Sequence, residues 1–513
     1  MKKDIPLSSK LMGIAIAFLC VAFVVMLASC GSSQTTSSTT GSASNASASS
    51  TLSSVPTKEG ITTSQTISNS TDGEHAIQAD GTSESYSNVA VEKAGNSDSG
   101  DEADFYGDNA SVFATNGATL NLSQIVLESN GTHANGVFSY GEDTTVNIVD
   151  SVIETSGNCS GGLMTTGGGT MNATNLSIAT SGNSSAAIRS DRGGGTVNVD
   201  GGVYTTSGTG SPVIYSTADI TVSNAQLEST ASQGVVVEGK NSVTLNDVDL
   251  VADNNKKNSD KSGFYQAVML YQSMSGDAAN GKSEFSMTGG SLTNKNDDVF
   301  FVNNTVSEIT LDGVNITNNG DGVFLRAAAA GWGNEGSNGG QVTLKASNQT
   351  IKGDMVVDEV SNLNLYLSKS TFNGAINADG QAGEVYVELI DGAKWTLTAD
   401  SYITSLTCDT DSIDLNGHTL YVNGQAYQQG TTSTGESIEV VVTESTGGPG
   451  GAPPNGDSKG GPSGNSGTPP EKPSGDNSSN GGTPPEKPSG SGSDSNGGTP
   501  PEKPSGNSSG TAA

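Results

Sequence analysis

The sequence predicts an all-β chain built around a right-handed parallel β-helix, a solenoid of about eleven rungs with three short strands each. Three observations carry this expectation. Apolar residues recur two apart at a near-regular period, with no helical periodicity between them. Gly, Asn and Asp punctuate the same place in each repeat. Proline is nearly absent from the middle of the chain: thirteen of the sixteen Pro lie beyond residue 445, and only Pro212 falls between 71 and 445. Proline is excluded where backbone N–H groups must pair in a sheet.

The repeat is anchored at Leu120, Val146, Met171, Val197, Ile220, Val243, Phe285 and Ile309, with steps of 26, 25, 26, 23, 23, 42 and 24 residues. Two residues on stand Leu122, Ile148, Ala173, Val199, Val222, Leu245, Met287 and Leu311. Seven residues on stand Leu127, Ile153, Ile178, Tyr204, Leu227, Leu250, Leu292 and Ile316. Turn formers such as Asp200-Gly201 and Asn246-Asp247 lie between. Each unit therefore reads as a strand with alternate residues inward, a tight corner, and a second strand. A third strand precedes each anchor, at Val137-Phe138, Leu163-Met164, Val213-Ile214, Val235-Val236, Val268-Met269, Val299-Phe300 and Val323-Phe324. Weaker rungs follow at Val342, Leu363 and Val385, and residues 71–111 are expected to hold the N-terminal cap and first rungs. A propeller would need a longer repeat. Cys159 and Cys408 fall about ten rungs apart, on the order of 45 Å at the rise of stacked strands, too far for a disulfide.

Outside 71–445 the composition changes. Residues 1–29 carry Lys2 and Lys3, then an apolar run ending in Leu27-Ala28-Ser29-Cys30. This resembles a bacterial lipoprotein signal, which implies a lipid on Cys30 and a location on the outer face of the cytoplasmic membrane. Residues 30–70 read as a Ser/Thr-rich spacer. Residues 446–513 are rich in Pro, Gly and Ser, with Thr-Pro-Pro-Glu-Lys-Pro-Ser-Gly starting at Thr468, Thr483 and Thr499. Such a tail is expected to be unpacked and could associate with the cell wall. The net charge of −32 and only three arginines disfavour nucleic acid as a partner.

The rungs look like those of the pectate-lyase-like β-helix superfold, and especially of adhesin-like, carbohydrate-binding β-helix lipoproteins of Gram-positive bacteria. The likeness is strongest at Thr165-Thr166-Gly167-Gly168-Gly169-Thr170, at Asp191-Arg192-Gly193-Gly194-Gly195-Thr196, and in the stretch from Ala393 to Leu406. The resemblance implies a surface protein that binds an extracellular polysaccharide or host glycan. Because the superfold also hosts lyases and hydrolases, it does not fix the activity.

An enzyme of this fold would need converging carboxylates. The available pair is Asp297 and Asp298, for which a turn capped by Asx side chains before Val299 is the favoured reading, since no Gly-His or Arg-x-Lys accompanies them. No cofactor is expected, although the acidic run Asp98, Asp101, Glu102, Asp104 and Asp108 could hold Ca²⁺ loosely. No Cys/His spacing typical of a metal site occurs. Outward positions Asn121, Asn147, Asn172 and Asn198 form a polar row that reads as a strand-stabilising ladder or a flat glycan-matching array. Of three expanded loops, 271–282 and 326–340 leave the same corner two rungs apart and should project on one side, offering Tyr271, Arg326, Trp332, Asn334 and Glu335, while 251–266 brings Tyr265. Aromatic faces with amides and carboxylates beside them suit sugar rings. Binding is thus the favoured expectation, with catalysis and a purely structural stalk as alternatives.

Overall fold

A computed structural model describes residues 54–444. The expected signal, Cys30, most of the spacer and the Pro-rich tail lie outside the described residues. Within them the chain is a parallel β-helix. The predicted anchors stack in register, Leu120 against Val146, Val146 against Met171, and so on to Phe285 against Ile309. The positions seven residues on do the same from Leu127 to Ile316. A third ladder of eleven strands closes the coil, running from Ile77–Asp80 to Met355–Val357. The first strand, Gln65–Asn69, begins ahead of residue 71 and pairs with Val89–Lys93.

The corner between the first and second strands explains why Gly, Asn and Asp recur. On every rung from Asn88 to Asp391 the residue four beyond the anchor has positive φ. That left-handed conformation is cheap only for Gly and tolerable for Asn and Asp. Side chains at this corner bond to the neighbouring rung, as from Asn175 to Asp150, Asn224 to Asp200 and Asn348 to Asp312, each at 2.7 Å. Another column, Gly131, Gly157, Gly182 and Gly208, is closed to any side chain, because a Cβ would collide with the carbonyl oxygen of the glycine one rung below.

The interior is a single continuous column of Val, Ile, Leu, Met and Phe. Near its C-terminal end lies Trp395, fully buried, stacked on Phe372 with ring centroids 5.5 Å apart, its Nε1 donating to the Gly374 carbonyl at 2.9 Å, and the column runs on over Ile413 to Leu420. There Leu420–Val422 folds on Gln425–Ala426, an antiparallel pair. Residues 433–444 then run back along the coil, touching Cys408, Thr407, Asn364 and finally Lys240. Cys159 and Cys408 are free thiols. No helix among the described residues is long and apolar enough to cross a membrane.

Two registers differ from expectation. After Ile309 the partner is Leu344, then Leu365 and Val387, so the weaker rungs are offset by two from Val342, Leu363 and Val385. In the third ladder the stacked pairs are Ile214-Tyr215, Phe300-Phe301 and Leu325-Arg326, so three pairs move from their predicted places by one or two residues. The one α-helix among the described residues, α1 (Asp101–Tyr106), lies in the acidic run, where the sequence predicted none.

Candidate ligand-binding cleft

The third ladder is the face that loops cover. Its inward residues join the column, while the outward ones, among them Phe138, Met164, Arg189, Tyr215, Val236, Met269, Phe301 and Arg326, meet chain excursions. Four excursions fold onto it: the segment carrying α1, and the loops at 253–265, 272–281 and 328–339. The last three match the expanded corners read from the sequence. Strands stacked in parallel put Tyr271 and Ala327 two rungs apart, and the loops that follow them meet: Tyr271 and Trp332 touch edge to face at 5.1 Å. Loop 253–265 joins them, with the Gly331 N–H donating to the Lys261 carbonyl at 2.9 Å.

Two adjoining clefts result. One, of about 130 Å³, is lined by Trp332, Tyr271, Phe264, Tyr265, Lys257 and Asn258. The other, of about 280 Å³, shares Tyr215, Tyr271 and Asn258 and is lined on its far side by Arg189, Asp191 and Asp277. Trp332 is half-buried, so its neighbouring glycines leave it to pack against the Tyr271 side of the loop cluster rather than stand free. Lys261 Nζ sits 5.7 Å from its ring.

Tyr215 and Tyr271 are fixed from beneath. Glu238, only 1% exposed, accepts from both phenols, from Tyr271 at 2.9 Å, and from the Ser273 hydroxyl. Burial, reinforced by that carboxylate, pushes both phenols well above their ordinary pKa. They therefore stay protonated and hold an aromatic wall in place.

The charged wall is a chain of pairs. Arg189 donates to Asp104 at 3.0 Å and to Asp191 at 2.8 Å; Arg192 donates to Asp277 at 2.8 Å and lies 3.9 Å over the Phe105 ring. Burial would lower Arg189, but Asp104 and Asp191 hold it above its usual value. Burial pushes the Asp191 carboxyl up to about 6: Arg189 opposes this, while Asp104 and Asp277 add to it. Here two guanidinium groups serve three carboxylates, so one carboxyl is left easy to protonate.

Other predicted residues do structural work. Asp298, 0% exposed, accepts from Arg326 Nε at 2.6 Å and Nη2 at 3.2 Å, and from the Val323 N–H at 2.9 Å. Arg326 also stacks on Phe264 at 4.0 Å. Asp297 has φ of 44° and accepts from the Tyr265 N–H at 2.8 Å. A carboxylate enclosed and held twice by a guanidinium has no face left for substrate, and its neighbour caps a turn. Asn334 and Glu335 are exposed and line neither cleft. The row Asn121, Asn147, Asn172 and Asn198 bonds head to tail, each amide donating to the previous one at 2.9–3.0 Å, which is the ladder reading.

Sequence reasoning missed Arg189, Asp191, Arg192, Tyr215 and Glu238. A signal was present: two of the three arginines stand three apart, flanking an Asp on one rung. Comparisons with protein-family models, with curated proteins and with solved structures find no match to this chain.

Proposed function

We propose that the chain is a lipid-anchored surface protein, tethered outside the cell through Cys30, that binds a polysaccharide or host glycan in the paired clefts over the third ladder. One observation carries the reading: an aromatic wall of Trp332, Tyr271 and Tyr215 runs directly into a wall of fixed guanidinium and carboxylate groups. Stacking for a sugar face beside hydrogen-bonding groups for its hydroxyls is the combination such ligands need. A glycan array probed with residues 31–513, wild type and Trp332→Ala, tests it. A stacked ring is worth about 1–1.5 kcal/mol, so the variant is expected to bind its glycan roughly tenfold more weakly. Absence of glycan binding, or binding untouched by Trp332→Ala, refutes the proposal.

A second reading is favoured by the carboxyl of Asp191, held near 6 in the same cleft as Asp277. A protonatable acid beside a second carboxylate is the equipment for glycoside hydrolysis. It moves the catalytic alternative from Asp297 and Asp298 to this pair. Release of reducing ends from a bound polysaccharide, abolished by Asp191→Asn, supports it; binding without product release rejects it.

A further inference from the structure

We propose that Asp104, His133 and Cys159 form a binding site for one divalent transition-metal ion of the zinc type. One ligand atom from each, the Cys159 sulfur, a His133 ring nitrogen and an Asp104 carboxylate oxygen, lies within 4.8 Å of the other two. The fold produces this arrangement. His133 and Cys159 occupy the same corner of successive rungs, with φ of 56° and 54°, and their backbones continue the parallel stack: His133 N–H donates to Asn158 and Cys159 N–H to Asn183. Their side chains are therefore set one rung apart on the same flank. Asp104 reaches the pair from α1, which crosses over that flank.

The second observation concerns what the groups do without an ion. His133 is 8% exposed and its Nδ1 lies 3.2 Å from Asp104 Oδ1, so a buried imidazole and a buried carboxylate already face each other beside the Cys159 sulfur. The remaining Asp104 contacts resemble the outer supports of a metal ligand. Arg189 Nη1 donates to Oδ2 at 3.0 Å, and Asn135 Nδ2 donates to Oδ1 at 3.0 Å while its own Oδ1 accepts from the Gly161 N–H at 2.7 Å.

The donor set selects the ion. A thiolate, an imidazole and one carboxylate suit tetrahedral Zn²⁺ and its substitute Co²⁺, not Ca²⁺, which takes oxygen ligands in greater number. Three protein ligands leave the fourth position for water or an added ligand. On binding, the Cys159 S–H bond breaks, the sulfur bonds the metal, and the proton passes to buffer.

The test uses the full chain without an affinity tag, stripped with chelator and titrated with Co²⁺ and Zn²⁺. One Co²⁺ per chain is expected, with a sulfur-to-cobalt charge-transfer band in the near ultraviolet that Cys159→Ser abolishes. Zinc affinity is expected to fall at least ~100-fold in Cys159→Ser and in His133→Asn, the latter chosen because Asn tolerates the corner conformation. Zinc is also expected to protect the Cys159 peptide of the wild type from alkylation, a readout independent of any variant. No one-to-one binding, a band that persists in Cys159→Ser, or alkylation of Cys159 unaffected by zinc overturns the site.

Discussion

Asp191→Asn probes the charged wall through the pH dependence of stability. The Asp191 carboxyl is 5% exposed, accepts from Arg189 and from the Arg192 N–H, and is lifted from the ordinary 3.8 to about 6. Between those values the folded chain holds a proton that the unfolded chain has released. The stability that Asp191 contributes is thus fullest below about pH 4, falls as pH rises towards 6 and levels off above it. The lift is worth about 3 kcal/mol, at 1.36 kcal/mol per pH unit. Asn cannot titrate. It keeps an oxygen for the Arg192 N–H but turns an amide towards Arg189, costing about 1–3 kcal/mol at any pH. Urea unfolding of both proteins at pH 4 and pH 7.5 separates the effects. Relative to wild type, Asp191→Asn is expected to be about 2.5 kcal/mol better placed at pH 7.5 than at pH 4, slightly less than the full lift because pH 4 lies close to the unfolded value. The same difference between the two proteins at both pH values would refute the argument, because Asp191 would then be ionised throughout.

Two further outcomes follow from burial. Arg326→Met removes the partner of a fully enclosed carboxylate and is expected to cost about 3–5 kcal/mol in urea unfolding, whereas replacing Asp298 by Leu at the same time should restore part of it. Trp395→Ala opens a cavity one rung before the end of the column and is expected to cost about 3–5 kcal/mol, read as lost hydrogen-exchange protection in strands 394–422 with rungs near Leu120 unchanged, since solenoid repeats depend mainly on their neighbours.

The eight anchors and their partners seven residues on were legible because each first strand alternates inward and outward beside a corner that only a few residue types can make. The misplaced registers have physical causes. From Lys282–Thr288 onward the first strands run to seven or eight residues, as in Thr305–Asp312, Gly340–Ser347 and Asn362–Ser368. A shift of two residues preserves the alternation, so Val342 and Leu344 look alike to any pattern of period two. The third ladder is buried on both faces, so Val299, Phe300 and Phe301 give no alternation to read. At the cleft, loop lengths announced where the chain leaves the coil but not what it covers. Trp332 could be found as an isolated aromatic, whereas Arg189 and Glu238 acquire meaning only from Asp104 and Tyr271, 85 and 33 positions away. His133 and Cys159 did carry a trace, their separation of 26 being one repeat.

The left-handed corner has a consequence for how such a molecule can diversify. Anchor and second strand keep a separation of seven residues on rung after rung, and the exception at Val387 adds one residue through Gly392 beside Asp391. All of the large variation in repeat length falls at the other two bends. One flank is therefore a fixed ratchet on which an insertion would break contact with the turns on either side. The other can lengthen without disturbing the stack. Novelty accumulates on a single side, so excursions from distant parts of the chain are driven into the same neighbourhood, and composite sites there are a product of the geometry of the coil.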